Sequence, residues 1–152
     1  VIITIDQFHY LIPLTSRSFR SNGKRRNPRT TVEILDENDE CIAALLINNM
    51  IPVLPVFYEE FDFKILKSAP LFNKELLYMR RPSVQSQILR KAETVYHSVI
   101  NHTDPFLNRF CCDFEKLEQL SMQYRIQESP FFYHIDPILQ VSNTAFRLLD
   151  VS

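Results

Sequence analysis

The change of hydrophobic periodicity near Glu59 is the feature that most constrains the fold of this chain. Before it, short β-branched or apolar runs alternate with polar turns, a pattern typical of strands. These runs are Val1–Ile5, Phe8–Leu14, Thr31–Leu35, Cys41–Ile47 and Met50–Tyr58. The second run is the predicted hairpin partner of the first, and the prolines of the last run favour an edge or bulged strand. This part of the chain therefore predicts a small antiparallel β-barrel or curled sheet.

After Glu59, apolar residues recur at helical spacing. The predicted elements are helices at Leu71–Met79, at Val84–Ile100 with Ser83 as cap, and after Asp113, then a strand at Phe131–Ile135 and a helix from Asp136 to near Leu149. Asp104 and Pro105 are interpreted as a loop. Strands followed by helices predict the α+β class.

The length of 152 residues suits a single domain over residues 1–152. Its parts are mainly strands in 1–58, mainly helical in 59–127, and strand plus helix in 128–152. The chain contains one glycine, Gly23, and nine prolines. Its turns must therefore depend on Asn, Asp and Pro.

A basic loop follows the second strand, directly after the hydroxyl pair Thr15 and Ser16. Between positions 17 and 29 it contains no acidic residue and six basic ones: Arg17, Arg20, Lys24, Arg25, Arg26 and Arg29. The net charge of the whole chain is −1, so any polyanion must be held by a local patch. Hydroxyls at a strand end beside guanidinium groups are suited to binding a phosphodiester.

A structural interpretation of the same residues stays open. The basic loop is also explained as a solvated loop that pairs with the acidic residues Glu33, Asp36, Glu37, Asp39 and Glu40. The hydroxyl pair is also typical of a Ser/Thr turn at a strand end. On the helical part, Arg80–Arg81 and Arg90–Lys91 either extend a cationic wall or cover a helix surface.

Other chemistries lack their motifs. The sequence has no phosphate-binding glycine loop, no dinucleotide fingerprint and no nucleophile elbow. The spacing of His97 and His102 does not suit zinc, and the three cysteines form no disulfide framework. His9 precedes the hydroxyl pair and is a candidate general base, although a lone histidine is more often structural. No apolar run is long enough to span a membrane.

Four motifs in order carry a resemblance to a known family. They are Tyr10–Ser16, Leu46–Pro52, Asn73–Arg81 and Cys112–Glu118, and the agreement runs from Val1 to about Arg125. In these motifs the chain resembles the ToxN/AbiQ family, the endoribonuclease toxins of type III toxin–antitoxin and abortive-infection systems.

The resemblance implies a MazF/Kid-like barrel elaborated by helices and metal-independent RNA cleavage without a cofactor. The ribose 2′-hydroxyl would attack the neighbouring phosphate, and Thr15 and Ser16 would contact that phosphate. The implied partners are substrate RNA and a repetitive pseudoknot RNA antitoxin, in an assembly within the bacterial cytoplasm.

Two departures from the family pattern change the expected site. The family has a lysine two residues after the serine, where this chain has Ser18, so Arg17, Arg20 or the Lys24–Arg26 run must supply the positive charge. The family also has a tyrosine and a lysine in a loop just before the strand that starts here at Val1, where this sequence begins. The 131–149 segment resembles the family's N-terminal strand and helix, which suggests a circular permutation or an N-terminal piece placed last, with the missing loop between Ser152 and Val1.

The expected site residues follow from the basic loop and the resemblance together. The catalytic set is Thr15, Ser16 and Arg17, and the RNA-binding set is Tyr10, Phe19, Arg20, Lys24, Arg25, Arg26, Arg29 and Arg81. Tyr10 and Phe19 are predicted to stack on bases, although Tyr10 is equally a candidate for the core. The alternative functions are a non-catalytic RNA-binding module and a protein-interaction domain with a basic docking loop.

Overall fold

The computed structural model describes residues 1–16, 23–55, 70–127 and 146–147. The strands are β1 (Ile2–Ile5), β2 (Phe8–Leu11), β3 (Leu14–Thr15), β4 (Thr31–Leu35), β5 (Cys41–Leu46), β6 (Ile51–Val53) and β7 (Phe146–Arg147). The helices are α1 (Pro70–Met79), α2 (Pro82–Ile100), α3 (Pro105–Phe110) and α4 (Phe114–Gln127), and a 3-10 turn spans Ile47–Asn49. The predicted α+β class is confirmed.

Two antiparallel sheets organise the strands. The first has the order β6-β2-β1-β7 and the second has the order β3-β5-β4. The predicted hairpin of β1 and β2 is confirmed, with Ile3 opposite Tyr10. The long Phe8–Leu14 run, however, divides at Ile12 and Pro13 between the two sheets. Within the described residues, the strands form two small sheets and not one closed barrel.

Aspartates take the turn positions that glycine usually fills. Asp6 in the β1–β2 turn and Asp39 in the β4–β5 turn have positive φ values of 53° and 61°. Asp36 Oδ1 also accepts hydrogen bonds from the backbone amides of Asn38 and Glu40, at 2.8 and 3.0 Å. Asp tolerates this left-handed region better than most residues. The prediction that Asp would replace glycine in the turns is confirmed at these two.

One face of α2 packs on the sheets and forms much of the core. The predicted stripe is confirmed, because all its members are at most 7% exposed: Val84, Ile88, Ala92, Val95 and Val99. The predicted cap is wrong, since Arg81 is the N-cap and Pro82 is the first helical residue. Pro suits that position because its missing N–H would have no partner there.

Two other predictions differ from the structure. The loop predicted at Asp104 and Pro105 is the start of α3, and the Asp104 carboxylate accepts hydrogen bonds from the amides of Phe106 and Leu107. The closing helix predicted to end near Leu149 is contradicted at residues 146–147, which pair with Ile2 and Ile3 as strand β7. Pairing with the edge of β1 prevails there over local helical spacing. The predicted strand at Phe131–Ile135 lies outside the described residues.

The helix predicted after Asp113 is confirmed as α4. The Asp113 carboxylate accepts a hydrogen bond from the backbone amide of Lys116 at 3.1 Å, as a cap does. Phe114 is fully buried, but Leu120, Met122 and Tyr124 are 41–51% exposed. No helix among the described residues is both long enough and apolar enough to cross a membrane.

Candidate functional site

The hydroxyl pair lies at the outer edge of the second sheet. Thr15 is the last residue of β3 and lies opposite Ala44 of β5. Upstream, the buried Ile12 donates its amide to the Val1 carbonyl at 2.7 Å, and Pro13 accepts the Leu46 amide at 2.9 Å. Thr15 is half-buried and Ser16 is exposed. The fold therefore fixes the backbone just before the pair and presents the Ser16 hydroxyl to solvent.

The first part of the basic loop, residues 17–22, lies outside the described residues. It contains Arg17, Phe19 and Arg20, so their predicted roles stay predictions. The described part resumes at Gly23, whose φ of +74° only glycine adopts readily. Lys24 is exposed and Arg26 is half-buried.

Arg25 forms a two-pronged ion pair with Glu33 of β4. Its Nε and Nη2 atoms each donate to a different carboxylate oxygen at 2.8 Å. The hydrogen bond from Arg25 lowers the pKa of the Glu33 carboxyl below its ordinary value. For Arg25, the alternative in which the loop pairs with acidic residues is confirmed. Because the Arg25 side chain is 71% exposed, solvent screens this pair and it adds little to the stability of the fold.

Arg29 is directed toward α3. Its guanidinium binds the Asp104 carboxylate and lies 4.9 Å from the centre of the Phe106 ring. Asp104 therefore caps α3 and binds Arg29, whereas the sequence predicted only a loop at this position. The sequence signal was present, because an Asp followed by Pro is a common helix start.

Two further candidates have local partners. Arg81 is exposed at the start of α2, with its guanidinium 5.0 Å from the centre of the Tyr78 ring. His9 places Nδ1 3.1 Å from the hydroxyl of Thr4 on the neighbouring strand.

Among the described residues, no three His, Cys, Asp or Glu side chains are arranged to hold a metal ion.

The base-stacking role predicted for Tyr10 is wrong, because Tyr10 is a core residue. Its side chain is 0% exposed and its ring packs edge-on against Tyr96 and Phe114. The hydroxyls of Tyr10 and Tyr96 both donate to Oε1 of Glu118, the latter at 2.9 Å. Burial first, and then the hydrogen bond to Glu118, raise the pKa of both tyrosines. Tyr10 thus connects β2 to α2 and α4.

Replacing Tyr10 by Phe tests the buried hydrogen bond of this core residue. Tyr10→Phe removes one donor from the buried Glu118 carboxylate, so we expect a loss of about 1–2 kcal/mol in the free energy of unfolding. Chemical denaturation followed by circular dichroism measures this loss. Stability equal to that of the wild type would show that this hydrogen bond does not help to hold β2 against α4.

The thiols of Cys111 and Cys112 are poorly suited to act as nucleophiles. Burial raises the pKa of Cys111 to about 11 and also raises that of Cys112. Both side chains are half-buried and stay protonated near neutral pH, whereas the thiolate is the reactive form.

Together, the fold and the site define an α+β protein with a hydroxyl pair at a sheet edge, beside a loop rich in arginine. The family model described as toxin ToxN of type III toxin–antitoxin systems matches residues 1–122. The chain belongs to this family of ToxN toxins.

Individual relatives agree with this assignment. The chain is 33% identical over 135 residues to the endoribonuclease ToxN of Bacillus thuringiensis subsp. kurstaki, an alignment covering 82% of this chain. The aligned part spans 66% of that relative, just under two thirds of its length.

Two solved structures are similar. One, from a study of selective toxin inhibition by a non-coding RNA pseudoknot in bacterial type III systems, has a TM-score of 0.69 and 32% identity, covering 80% of this chain and 75% of that one. The other is AbiQ, a lactococcal anti-phage endoribonuclease of the type III system, with a TM-score of 0.62 and 27% identity, covering 78% and 73%.

Proposed function

We propose that this protein is the endoribonuclease toxin of a type III toxin–antitoxin system acting in phage defence. The proposal is supported by its family and by the endoribonuclease activity for which both ToxN and AbiQ are named. The observation that carries it is the exposed Ser16 hydroxyl at the end of β3, at the start of the basic loop.

The proposed reaction is a transesterification within the RNA strand. The ribose 2′-oxygen attacks the adjacent phosphorus while a base accepts its proton. The bond from phosphorus to the 5′-oxygen breaks, and that oxygen leaves with a proton. The products are a 2′,3′-cyclic phosphate and a 5′-hydroxyl. The nucleophile belongs to the substrate. The protein therefore has to position the reacting groups of the RNA and stabilise the charge of the transition state, and no metal ion is required.

In this proposal, Thr15 and Ser16 donate hydrogen bonds to the scissile phosphate. Arg17 follows them in the chain and supplies positive charge to the pentacoordinate transition state. The remaining RNA contacts are assigned to Phe19, Arg20, Lys24, Arg25, Arg26, Arg29 and Arg81. Arg25 can contribute because its exposed pair with Glu33 is weak enough to exchange for an RNA phosphate.

The proposed inhibitor is a repetitive pseudoknot RNA that the toxin binds in an assembly. Its support is the similar structure determined for inhibition by a non-coding RNA pseudoknot. We place this complex in the bacterial cytoplasm. We also propose that residues 1–152 act as one domain and that the two sheets are parts of a curled, MazF-like barrel.

The test is cleavage of a single-stranded RNA by the purified protein in the presence of EDTA. We expect discrete fragments to form at the same rate with and without the chelator. A DNA of the same sequence should stay intact because it lacks the 2′-hydroxyl. Denaturing gel electrophoresis measures both.

RNA that is bound but never cut would instead support the non-catalytic module. A protein that neither binds nor cuts RNA would support the protein-interaction domain.

A further inference from the structure

A groove runs along α2, and Thr15 and Ser16 are not among its lining residues. Its volume is about 670 Å³, and its walls are α2, the loop before β4 and α3. It is lined by Arg29, Ser83, Gln87, Arg90, Lys91, Thr94, Val95, Ser98, Asp104 and Leu107. The α2 polar positions Ser83, Gln87, Arg90, Thr94 and Ser98 are three or four residues apart, so they form one stripe. At 1.5 Å per residue this stripe is about 22 Å long, enough for several nucleotides.

The three cationic side chains of the groove differ in their partners and in their exposure. Lys91 donates from Nζ to the carbonyls of Pro28 at 2.6 Å and Thr31 at 3.0 Å, so it fixes the start of β4 to α2. Arg29 is held by the Asp104 carboxylate. Arg90 is exposed on the stripe. The groove therefore presents two exposed guanidinium groups, and that of Arg29 has an anion partner within the protein itself.

We propose that this groove binds the phosphate backbone of single-stranded RNA, with Asp104 occupying the anion position at Arg29 until a phosphate replaces it. The proposal rests on the proposed function and extends it to a second contact surface. Arg90 and Arg29 bind phosphate oxygens, and the Ser83 and Ser98 hydroxyls and the Gln87 amide donate to the same backbone. The Thr94 hydroxyl instead donates to the Arg90 carbonyl at 2.7 Å.

The geometry favours this exchange. The Arg29 side chain is 52% exposed and that of Asp104 is 26% exposed, so the pair is open to solvent and of small net stability. Asp104 also binds the amides of Phe106 and Leu107 through Oδ1, whereas Arg29 binds Oδ2. Release of Arg29 therefore leaves the cap of α3 intact. The groove binds phosphate and no base edge, so it should act on RNA of any sequence.

The first experiment replaces Arg90 by Gln and measures binding of a short fluorescein-labelled RNA with 2′-O-methyl riboses, which the proposed reaction cannot cleave. We expect Arg90→Gln to weaken affinity about fivefold, and to reduce the slope of log affinity against log salt by about 0.7, the contribution of one phosphate on a single strand. Lys116→Gln, an equal charge change on exposed α4, is the control and should have a much smaller effect.

The second experiment tests the exchange at Arg29. Asp104→Asn keeps an oxygen to cap α3 but removes the charge, so affinity for the same RNA should rise about threefold and the salt slope should increase by about 0.7. The gain should disappear when Arg29→Gln is added, because Asp104 acts through Arg29. Glu115→Gln, an exposed carboxylate on α4, is the control for charge alone.

The results separate this proposal from the proposed function. If the wild type cleaves unmodified RNA but Arg90→Gln binds the labelled RNA as tightly as the wild type, the groove proposal is overturned and the endoribonuclease stands. If Asp104→Asn still raises RNA affinity when Arg29→Gln is also present, the proposed exchange is overturned. If the wild type does not cleave RNA at all, the proposed function fails independently of the groove.

Discussion

Replacing Ser16 by Ala is expected to reduce the rate of RNA cleavage about 10²- to 10³-fold, the usual effect of removing one donor that stabilises transition-state charge. Binding of uncut RNA should change little, because the basic loop and not this hydroxyl supplies most of the affinity. Since Ser16 is exposed, the free energy of unfolding should stay within about 0.5 kcal/mol of the wild type. Single-turnover cleavage with saturating protein measures the chemical step.

Two variants make this result specific. Thr15→Val keeps the shape of the side chain at the end of β3 and removes only its hydroxyl, so it tests the second donor of the pair. Ser86→Ala removes an exposed hydroxyl from α2 that does not line the groove, and cleavage should be unaffected. Wild-type cleavage by both Ser16→Ala and Thr15→Val would remove the hydroxyl pair from the mechanism.

Replacing Glu118 by Ala is expected to cost about 3 kcal/mol in the free energy of unfolding, because two buried tyrosine hydroxyls lose their shared acceptor. Glu118 is 9% exposed and receives hydrogen bonds from Tyr10 of β2 and Tyr96 of α2. Its carboxylate therefore joins α4 to both the first sheet and the central helix. Urea unfolding followed by circular dichroism measures the loss.

The neighbouring residue supplies a matched control. Gln119 is exposed on the same helix, and Gln119→Ala should change stability by less than about 0.5 kcal/mol. Glu118→Gln keeps one acceptor oxygen for the tyrosines and should cost less than Glu118→Ala. Equal stability of Glu118→Ala and the wild type would show that the network does not hold α4 in place.

Much of the fold could be predicted because its signals are local and repeated. The β1–β2 hairpin follows from β-branched residues around Asp6 and Gln7, and the buried stripe of α2 follows from spacing. The α3 helix was missed because it is only six residues long, although Asp104 and Pro105 mark its start. The strand at 146–147 depends on the edge of β1, which local spacing does not report.

The sequence predicts which residues belong to the candidate site, but not which side chains form ion pairs with them. The basic loop and the Thr15–Ser16 pair are visible in the sequence, and Ser16 is exposed as the prediction requires. The partner of Arg29 is Asp104, which is 75 residues away in the chain, so only the tertiary fold brings them together. Phe8, Tyr10 and Ile12 are two residues apart and all buried, so they share one face of the strand. This period of two was the available signal that Tyr10 faces the core.

The most direct test of the whole account is the chemistry of the ends that the protein leaves on RNA. Mass spectrometry of fragments produced in EDTA should find a 2′,3′-cyclic phosphate on one side of each cut and a 5′-hydroxyl on the other. Fragments with a 3′-hydroxyl and a 5′-phosphate would mean that water, not the ribose, attacks the phosphorus. That result would contradict the mechanism assigned to Thr15 and Ser16.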